Sequence, residues 1–272
     1  MWAWAGVSMA LLWKVKWLRL ANASQHQWRL NTNQCALLAV CGILLSGIVG
    51  ALLVRAMGAS TDGSLPPIAL LVALVAGSLT TIVTFQLLRY FSRANKANTG
   101  HVQITPSNTL IKNIFIGAVG FLIVWPLVQI TSLLGGAIQF QFTGMPAPTV
   151  GHQFLETIRE QGNNPVTWGL VFTIVFLGPL AEEIIWRGAI QQGLKQIGMP
   201  RAGAIVVTAA MFALFHWGAV PEYCHAVAVP ALAVFGFALG FLMERTGLLW
   251  SSFTAHALFN CANLFLFSML PS

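Results

Sequence analysis

Ionisable and amide side chains interrupt three of the long apolar stretches in the C-terminal half of the chain. The first stretch contains Glu182, Glu183 and Arg187, the second contains His216, and the third contains His256 and Asn260. Because an ionisable group is expensive to place in a bilayer, such residues mark functional sites or pair with one another. Carboxylate, imidazole and amide groups, with no Ser or Cys in a matching place, suit the activation of a water molecule. A carboxylate or His would act as the base, and His with Asn would donate hydrogen bonds to an oxyanion.

These polar residues are expected at a common depth in the membrane. At a helical rise of about 1.5 Å per residue, Glu182 lies roughly 20 Å and His216 roughly 22 Å from the inner edge of their spans. His256 and Asn260 lie roughly 12 and 18 Å from the start of theirs, one turn apart on one face of a helix. All four fall near the middle of the bilayer, so the sequence predicts that they meet in a single site.

The acidic pair carries further information in its spacing. Glu183 and Arg187 are four residues apart with the acid first, which is the favourable order for an ion pair within a helix. Glu182 is rotated by about 100° from Glu183 and can face a different neighbour. Pro179 suits the first turn of a helix, so we expect a helix to begin there and both carboxylates to lie near its positive end.

The elements that must position these residues are membrane-spanning helices. Of the 272 residues, 57% are hydrophobic and only 8% are charged, whereas a soluble domain carries about 25% charged residues. The composition predicts an all-α fold, a polytopic transmembrane helix bundle of about seven spans plus an N-terminal interfacial or short membrane helix. The spans are expected at 35–54, 68–90, 111–134, 166–193, 202–219, 226–243 and 248–269.

The charge pattern favours a membrane over a nucleic-acid partner. The net charge is +7, but the basic residues cluster between apolar runs, which is typical of cytoplasmic loops. Residues 1–34 are basic and rich in tryptophan, with positive charge after the apolar stretch and not before it, so they indicate an interfacial anchor instead of a secretory signal. Residues 35–165 are expected to hold the N-terminal transmembrane helices and an outside loop. We expect a multi-pass integral protein of the cell (inner) membrane.

Small residues at regular spacing predict close contacts between helices. Gly42, Ser46 and Gly50 lie four residues apart, as do Gly236 and Gly240, and such small residues let neighbouring helix backbones approach closely. The four cysteines show neither a CxxC motif nor metal-ligand spacing. They are interpreted as packing residues.

Three motifs in a fixed order carry a family resemblance. The patterns Glu-Glu-x-x-x-Arg, Phe-x-x-x-His and His-x-x-x-Asn follow one another on the late spans. Together with Pro179, Arg187-Gly188 and Gly247-Leu-Leu-Trp250, this arrangement resembles the CAAX prenyl protease type II and bacteriocin-processing (CPBP, or ABI) family of intramembrane proteases. The resemblance covers about residues 166–265 and implies that residues 166–272 form a protease core.

The resemblance also implies roles for individual residues. Glu182 and His216 would activate the attacking water, and His256 with Asn260 would form the oxyanion hole. Glu183 and Arg187 would hold their helix in place. The implied partners are the lipid bilayer and a membrane-associated peptide or protein substrate, either prenylated or carrying a leader peptide. Nucleic acid is not among them.

No cofactor is expected. Glu182 and the two histidines could ligate zinc, and three protein ligands plus water form a legitimate catalytic shell. However, the chain lacks His-Glu-x-x-His, and Asn260 next to His256 suits an oxyanion better than a metal. Two other functions stay open: a transporter or channel whose buried ions line a permeation path, and an inactive family member that serves as a scaffold or immunity protein.

Overall fold

The fold is all-α and polytopic, as the composition predicts. The computed structural model describes residues 30–58, 66–96, 107–146, 158 and 162–269. Within these ranges the regular structure is helical, without a strand. Most of the predicted interfacial segment 1–34, and the central part of the predicted outside loop, lie outside the described residues.

The described part of the chain contains seven long helices, which we number α1 to α7. They are Thr32–Ala56, Pro67–Lys96, Ser107–Thr143, Pro165–Gln196, Arg201–Phe215, His225–Thr246 and Leu249–Ser268. Two short 3₁₀ turns, His216–Ala219 and Glu222–Cys224, connect α5 to α6. Widened π-helical turns occur at Cys41–Leu45 in α1 and at Thr173–Leu177 and Ile184–Ile190 in α4.

Six of these elements are long and apolar enough to cross a membrane. They are Thr32–Ala56, Pro67–Ser92, Leu110–Thr143, Pro165–Gln196, Arg201–Ala219 and Glu222–Thr246. The seventh predicted span forms α7, a helix of 20 residues, but it is not among the six candidates. Its composition explains this, because His256, Asn260, Asn263 and several hydroxyl residues lower its hydropathy. The polar residues that suggest chemistry are thus the ones that weaken its membrane-span signal.

The helices fall into two compact units. The first unit comprises residues 27–109 and 157–198 and holds α1, α2 and α4. The second comprises residues 1–26, 110–156 and 199–272 and holds α5, α6, α7 and α3 from Leu110 onward. Glu182, Glu183 and Arg187 belong to the first unit, whereas His216, His256 and Asn260 belong to the second.

In the first unit, α1 and α4 are joined at their polar ends. Asn31 and Gln34 form a reciprocal cap in which each side chain accepts a hydrogen bond from the backbone N–H of the other, and this cap sets the start of α1. The Gln196 side chain at the end of α4 donates to the Leu30 carbonyl at 2.9 Å and accepts from the Thr32 hydroxyl at 3.1 Å. The C-terminal end of α4 is therefore tied to the beginning of α1.

Close packing of α1 in this unit depends on the small residues that the sequence singles out. A Cβ placed on Gly42 would lie 2.6 Å from Cγ1 of Ile185 in α4. Gly50 packs against Ala73 of α2, where a Cβ would meet the Ala73 carbonyl at 3.5 Å. The prediction that Gly42 and Gly50 mediate helix contacts is confirmed. Gly42 brings α1 directly against the segment that follows Glu183.

In the second unit, a tight turn sets the start of α7. Gly247 has a φ of +71°, a conformation that glycine adopts readily, and its N–H bonds to the Met243 carbonyl at 2.8 Å. The Thr246 and Ser251 hydroxyls are 2.7 Å apart across the turn. Because the turn fixes the first residues of α7, it also fixes the face of the helix on which His256 lies, about two helical turns later.

Two glycines of α3 make close contacts with other helices of this unit. Gly117 lies against the carbonyl oxygen of Ser251 in α7, and Gly135 lies against that of Ala226 in α6, with no room for a Cβ at either position. Small residues thus let α3 pack directly on the backbones of the two helices that follow His216 in the chain.

Candidate active site

The ion pair predicted from the spacing of Glu183 and Arg187 is present. Nη1 of Arg187 donates to Oε1 of Glu183 at 3.0 Å, and both side chains are fully buried, with 0% exposure. Two opposite charges in a medium that excludes water attract each other much more strongly than at a surface. Such a pair cannot easily exchange with water, so it fixes the local geometry of α4.

The π-helical turn Ile184–Ile190 shapes the backbone around Arg187. The Gln191 N–H bonds to Trp186, whereas in a regular α-helix it would bond to Arg187. The Arg187 carbonyl instead accepts a hydrogen bond from the Gln192 side-chain amide at 3.1 Å. Lys195 Nζ in turn donates to the side-chain oxygen Oε1 of Gln192 at 2.9 Å. A side-chain amide therefore donates to the Arg187 carbonyl, whose usual helical donor bonds to Trp186 in the widened turn. Such π-helical turns occur frequently at functional sites.

The expectation that a helix begins at Pro179 is wrong. Leu177 and Gly178 are helical, and α4 runs without interruption from Pro165 to Gln196. The π-helical turn Thr173–Leu177 comes directly before the proline, and the Gly178 N–H bonds to Thr173, five residues back. This wider turn accommodates a residue that has no N–H to donate. The carboxylates consequently lie in the interior of a long helix and not at its positive end.

The two neighbouring carboxylates differ in burial. Glu183 is fully buried with Arg187, whereas Glu182 is partly exposed. This difference follows from the rotation of about 100° between consecutive residues of a helix. Glu183 is committed to a buried ion pair, whereas Glu182 keeps some exposed surface, although its Oε2 atom is buried.

In the second unit, His216 is held in a defined orientation. Its Nδ1 atom lies 2.8 Å from the Phe212 carbonyl oxygen, one turn back at the end of α5. A carbonyl oxygen only accepts hydrogen bonds, so Nδ1 carries the hydrogen. In the neutral ring Nε2 then keeps its lone pair. The acceptor nitrogen of the neutral His216 ring is therefore Nε2.

The two histidines of the second unit share one aromatic neighbour. The Phe212 ring lies 4.6 Å from the His216 ring and 5.9 Å from the His256 ring, centroid to centroid. Phe235 of α6 contacts His256 edge to face at 5.4 Å. His256 is only 4% exposed. His216 and His256 therefore pack on the same ring, Phe212. That Glu182, His216, His256 and Asn260 meet in a single site stays a prediction.

The aromatic cluster extends beyond the histidines to α3. The Phe259 ring stacks on Phe235 at 4.0 Å, and Trp125 of α3 contacts Phe259 at 5.6 Å. Asn260, partly exposed, follows Phe259 directly and lies one turn after His256. Trp125, which lies outside the three motifs, therefore belongs to the same aromatic cluster as His256.

Sequence reasoning missed the aromatic residues that arrange these histidines. Phe212 has a detectable signal, because it is the first residue of the Phe-x-x-x-His pattern. Phe235 and Trp125 carry no such signal, since their partners are distant along the chain. Gly236 belongs to the predicted small-residue pair: a Cβ there would lie 3.0 Å from Cδ1 of Phe212 and 3.3 Å from Cα of Ala209. Its predicted packing role is confirmed.

A metal site would require at least three ligand side chains close together. Within each unit, no three His, Cys, Asp or Glu side chains of the described residues are grouped as metal ligands would be.

Comparison with protein families supports the assignment drawn from the motifs. Residues 164–262 match the family described as Type II CAAX prenyl endopeptidase Rce1-like. The match begins at the start of α4, ends within α7 and includes all six candidate residues, so the resemblance is confirmed for this part of the chain. It identifies a membrane protease domain, and with the six apolar helices it makes the chain an integral membrane protein. Neither the curated proteins nor the solved structures yield a match.

Proposed function

We propose that this protein, through the CAAX-type endopeptidase domain at residues 164–262, hydrolyses a peptide bond of a membrane-associated protein or peptide. In this proposal Glu182 and His216 activate the attacking water. The observation that carries it is the shared packing of His216 and His256 on Phe212. Two histidines pack on one aromatic ring in a region that matches a protease family. This arrangement favours a shared catalytic role over two unrelated structural roles.

The first step is the attack of water on the scissile carbonyl carbon. Glu182 accepts a proton from the water as general base, and Nε2 of His216 accepts a hydrogen bond that orients it. The carbon–oxygen bond forms as the carbonyl π electrons move to the oxygen. The Nδ1–H bond from His216 to Phe212 supports this role, since it leaves Nε2 as the acceptor.

The second step is the collapse of the tetrahedral intermediate. His256 and Asn260 donate hydrogen bonds to the oxyanion, which stabilises charge that exists only in the transition state and intermediate. The protonated Glu182 then gives its proton to the leaving nitrogen as the carbon–nitrogen bond breaks. The oxyanion electrons re-form the carbonyl, so the products are a carboxylic acid and an amine, and the acid then loses its proton to the amine or to solvent. The edge-to-face contact with Phe235 supports the role of His256 because it holds the ring in one orientation.

Glu183 and Arg187 have a supporting role in this proposal. Their fully buried ion pair holds α4 so that Glu182 keeps its direction. The substrate class follows the family description, a prenylated C-terminal peptide, with a leader peptide as the second possibility. No metal takes part in the proposed reaction.

The test is cleavage by protein reconstituted in liposomes. The probes are a farnesylated peptide that ends in Cys, two aliphatic residues and a terminal residue, and the same peptide without the lipid. Glu182→Ala is expected to fold and insert normally but to lose cleavage, detected by mass spectrometry of the products. Glu222→Ala is the matched control, because Glu222 is an exposed acid in a 3₁₀ turn. Full activity of Glu182→Ala would rule out the proposed mechanism, and solute flux through protein-containing vesicles would favour a transporter.

A further inference from the structure

The connection that follows His216 is held together by a third histidine. Nε2 of His225, the first residue of α6, lies 2.9 Å from the Trp217 carbonyl oxygen and 2.9 Å from the Val220 carbonyl oxygen. Both partners are acceptors only, so Nε2 carries the hydrogen and shares it between them. One side chain therefore satisfies two carbonyls at the end of the helix that presents His216, where backbone acceptors lack helical partners.

The ring of His225 makes a second contact with the same segment. It packs on the Trp217 indole with the ring centroids 4.0 Å apart and the planes inclined by 36°. Trp217 is the residue directly after His216. The side chain of Trp217 and its carbonyl are both held by His225, so the imidazole restrains this residue at two points.

A further hydrogen bond links this arrangement to His216 itself. The Val220 N–H donates to the His216 carbonyl at 3.0 Å, and the Val220 carbonyl accepts from His225. The chain of contacts runs from the His216 backbone through Val220 to the imidazole of His225. On its other side His216 is held by Phe212 through Nδ1. The His216 side chain is thus held by its own helix, and the His216 backbone carbonyl is held through Val220 by α6.

We propose that His225 is a positioning residue for His216: it closes the 3₁₀ turn after His216 and so fixes the direction in which Nε2 of His216 points. This proposal rests on the catalytic role proposed for His216, but its physical content is separate, because it concerns the orientation of an imidazole. Helix α6 also carries Phe235, which contacts His256. Helix α6 therefore contacts the surroundings of both histidines, through His225 at its beginning and Phe235 farther along.

The two interactions of His225 can be separated by substitution. His225→Phe keeps a ring that can pack on Trp217 but loses the N–H donor. His225→Gln keeps an N–H donor at a similar reach but loses the ring. Tyr223→Phe is the control, because Tyr223 precedes His225 by two residues and is 61% exposed. If His225→Phe does not insert, His225→Leu replaces it as the variant without a donor.

Two measurements test the proposal. The first is turnover of the farnesylated peptide in liposomes, where a displaced imidazole costs about 10- to 100-fold. We expect His225→Phe to lower kcat by at least about tenfold with KM changed less than about twofold. His225→Gln should recover most of that loss, and Tyr223→Phe should match the native protein. Native kcat in His225→Phe, or equal loss in His225→Gln and His225→Phe, would overturn the proposal.

The second measurement needs no substrate. In protein labelled with ¹⁵N-histidine, the ring signals of the six histidines are assigned by single His→Gln variants. We expect His216 as the Nδ1–H form in the native protein and in His225→Gln, and a broadened or shifted signal in His225→Phe. An unchanged His216 signal in His225→Phe would contradict the positioning role. A native protein that cleaves neither peptide would contradict the proposed function, while a His216 signal that responds to His225 would still support the positioning role.

Discussion

Arg187 and Glu183 form a hydrogen-bonded ion pair of 3.0 Å in which neither side chain has any exposed surface. The geometry is that of an i,i+4 pair with the acid first. Removal of one partner leaves the other charge buried, whereas replacement of both by apolar residues removes the charges together. We therefore expect the effects of substituting the two residues on the free energy of unfolding to be strongly coupled.

The first prediction concerns this coupling. Arg187→Met should lower the free energy of unfolding by about 3–5 kcal/mol because Glu183 loses its buried partner. The double variant Glu183→Met with Arg187→Met should recover most of that loss. Unfolding in detergent micelles measures both, with Arg55→Met as the control, since Arg55 is exposed at the end of α1. If the loss in the double variant equals the sum of the losses in Arg187→Met and Glu183→Met measured separately, the two residues are not coupled.

The second prediction concerns Gly236. A Cβ there would press on Phe212 and on the Ala209 backbone at 3.0–3.4 Å, and a backbone cannot move aside as a flexible side chain can. Gly236→Ala should cost about 1–3 kcal/mol of stability and should lower turnover, because Phe212 is the ring that both histidines contact. The melting temperature and kcat of the same preparation measure the two effects.

Gly47 provides the matched control for this substitution. It is also a helical glycine, but a Cβ there would meet nothing within 4 Å. Gly47→Ala should therefore be neutral or stabilise the protein by up to about 1 kcal/mol, the difference in helix propensity between the two residues. Equal melting temperatures and equal turnover in the two alanine variants would show that the close contact at Gly236 is unimportant.

The sequence predicts local features of this protein better than tertiary ones. The ion pair of Glu183 and Arg187 depends only on helical spacing, and the apolar runs depend only on composition. The predicted span 166–193 runs through Pro179, but residue type alone also allows a helix start there, because proline is suited to a first turn. Here the π-helical turn before it keeps the helix continuous.

The same limit applies to the surroundings of the histidines. Phe235 and Trp125 contact their partners across long stretches of chain, and nothing in their own neighbourhood marks them. The sequence marks no role for His225, which lies between the predicted spans 202–219 and 226–243. Its role depends on the fold of the 3₁₀ turn, which returns the Trp217 and Val220 carbonyls to one imidazole nitrogen.

The third prediction tests the oxyanion role of Asn260. Loss of one amide donor from an oxyanion hole lowers turnover by about 10²–10³-fold. Asn260→Ala should therefore reduce kcat strongly while substrate binding stays nearly unchanged. Asn263→Ala is the control, since the Asn263 amide donates to the Phe259 carbonyl within the same helix at 3.0 Å. Parallel loss of binding and turnover in Asn260→Ala would indicate substrate positioning instead.

The fourth prediction is that activity does not require a bound metal. Arg187 forms an ion pair with Glu183 and would compete with a metal cation for that carboxylate. At most Glu182, His216 and His256 are therefore available as metal ligands. Three ligands plus water would be sufficient for catalytic zinc, and the Nδ1–H bond of His216 to a carbonyl is compatible with zinc at Nε2. The number of ligands alone therefore does not decide between the two mechanisms.

Asn260 is the residue that favours the metal-free mechanism. It lies one turn from His256 on α7, and an amide beside an imidazole forms a pair of hydrogen-bond donors for an oxyanion. A zinc-bound His256 would instead need an acceptor for its other nitrogen. We therefore expect purified protein to contain less than stoichiometric zinc by elemental analysis and to keep its activity in a strong chelator. One equivalent of zinc, with activity lost on chelation and restored by added zinc, would show that the reaction uses a metal.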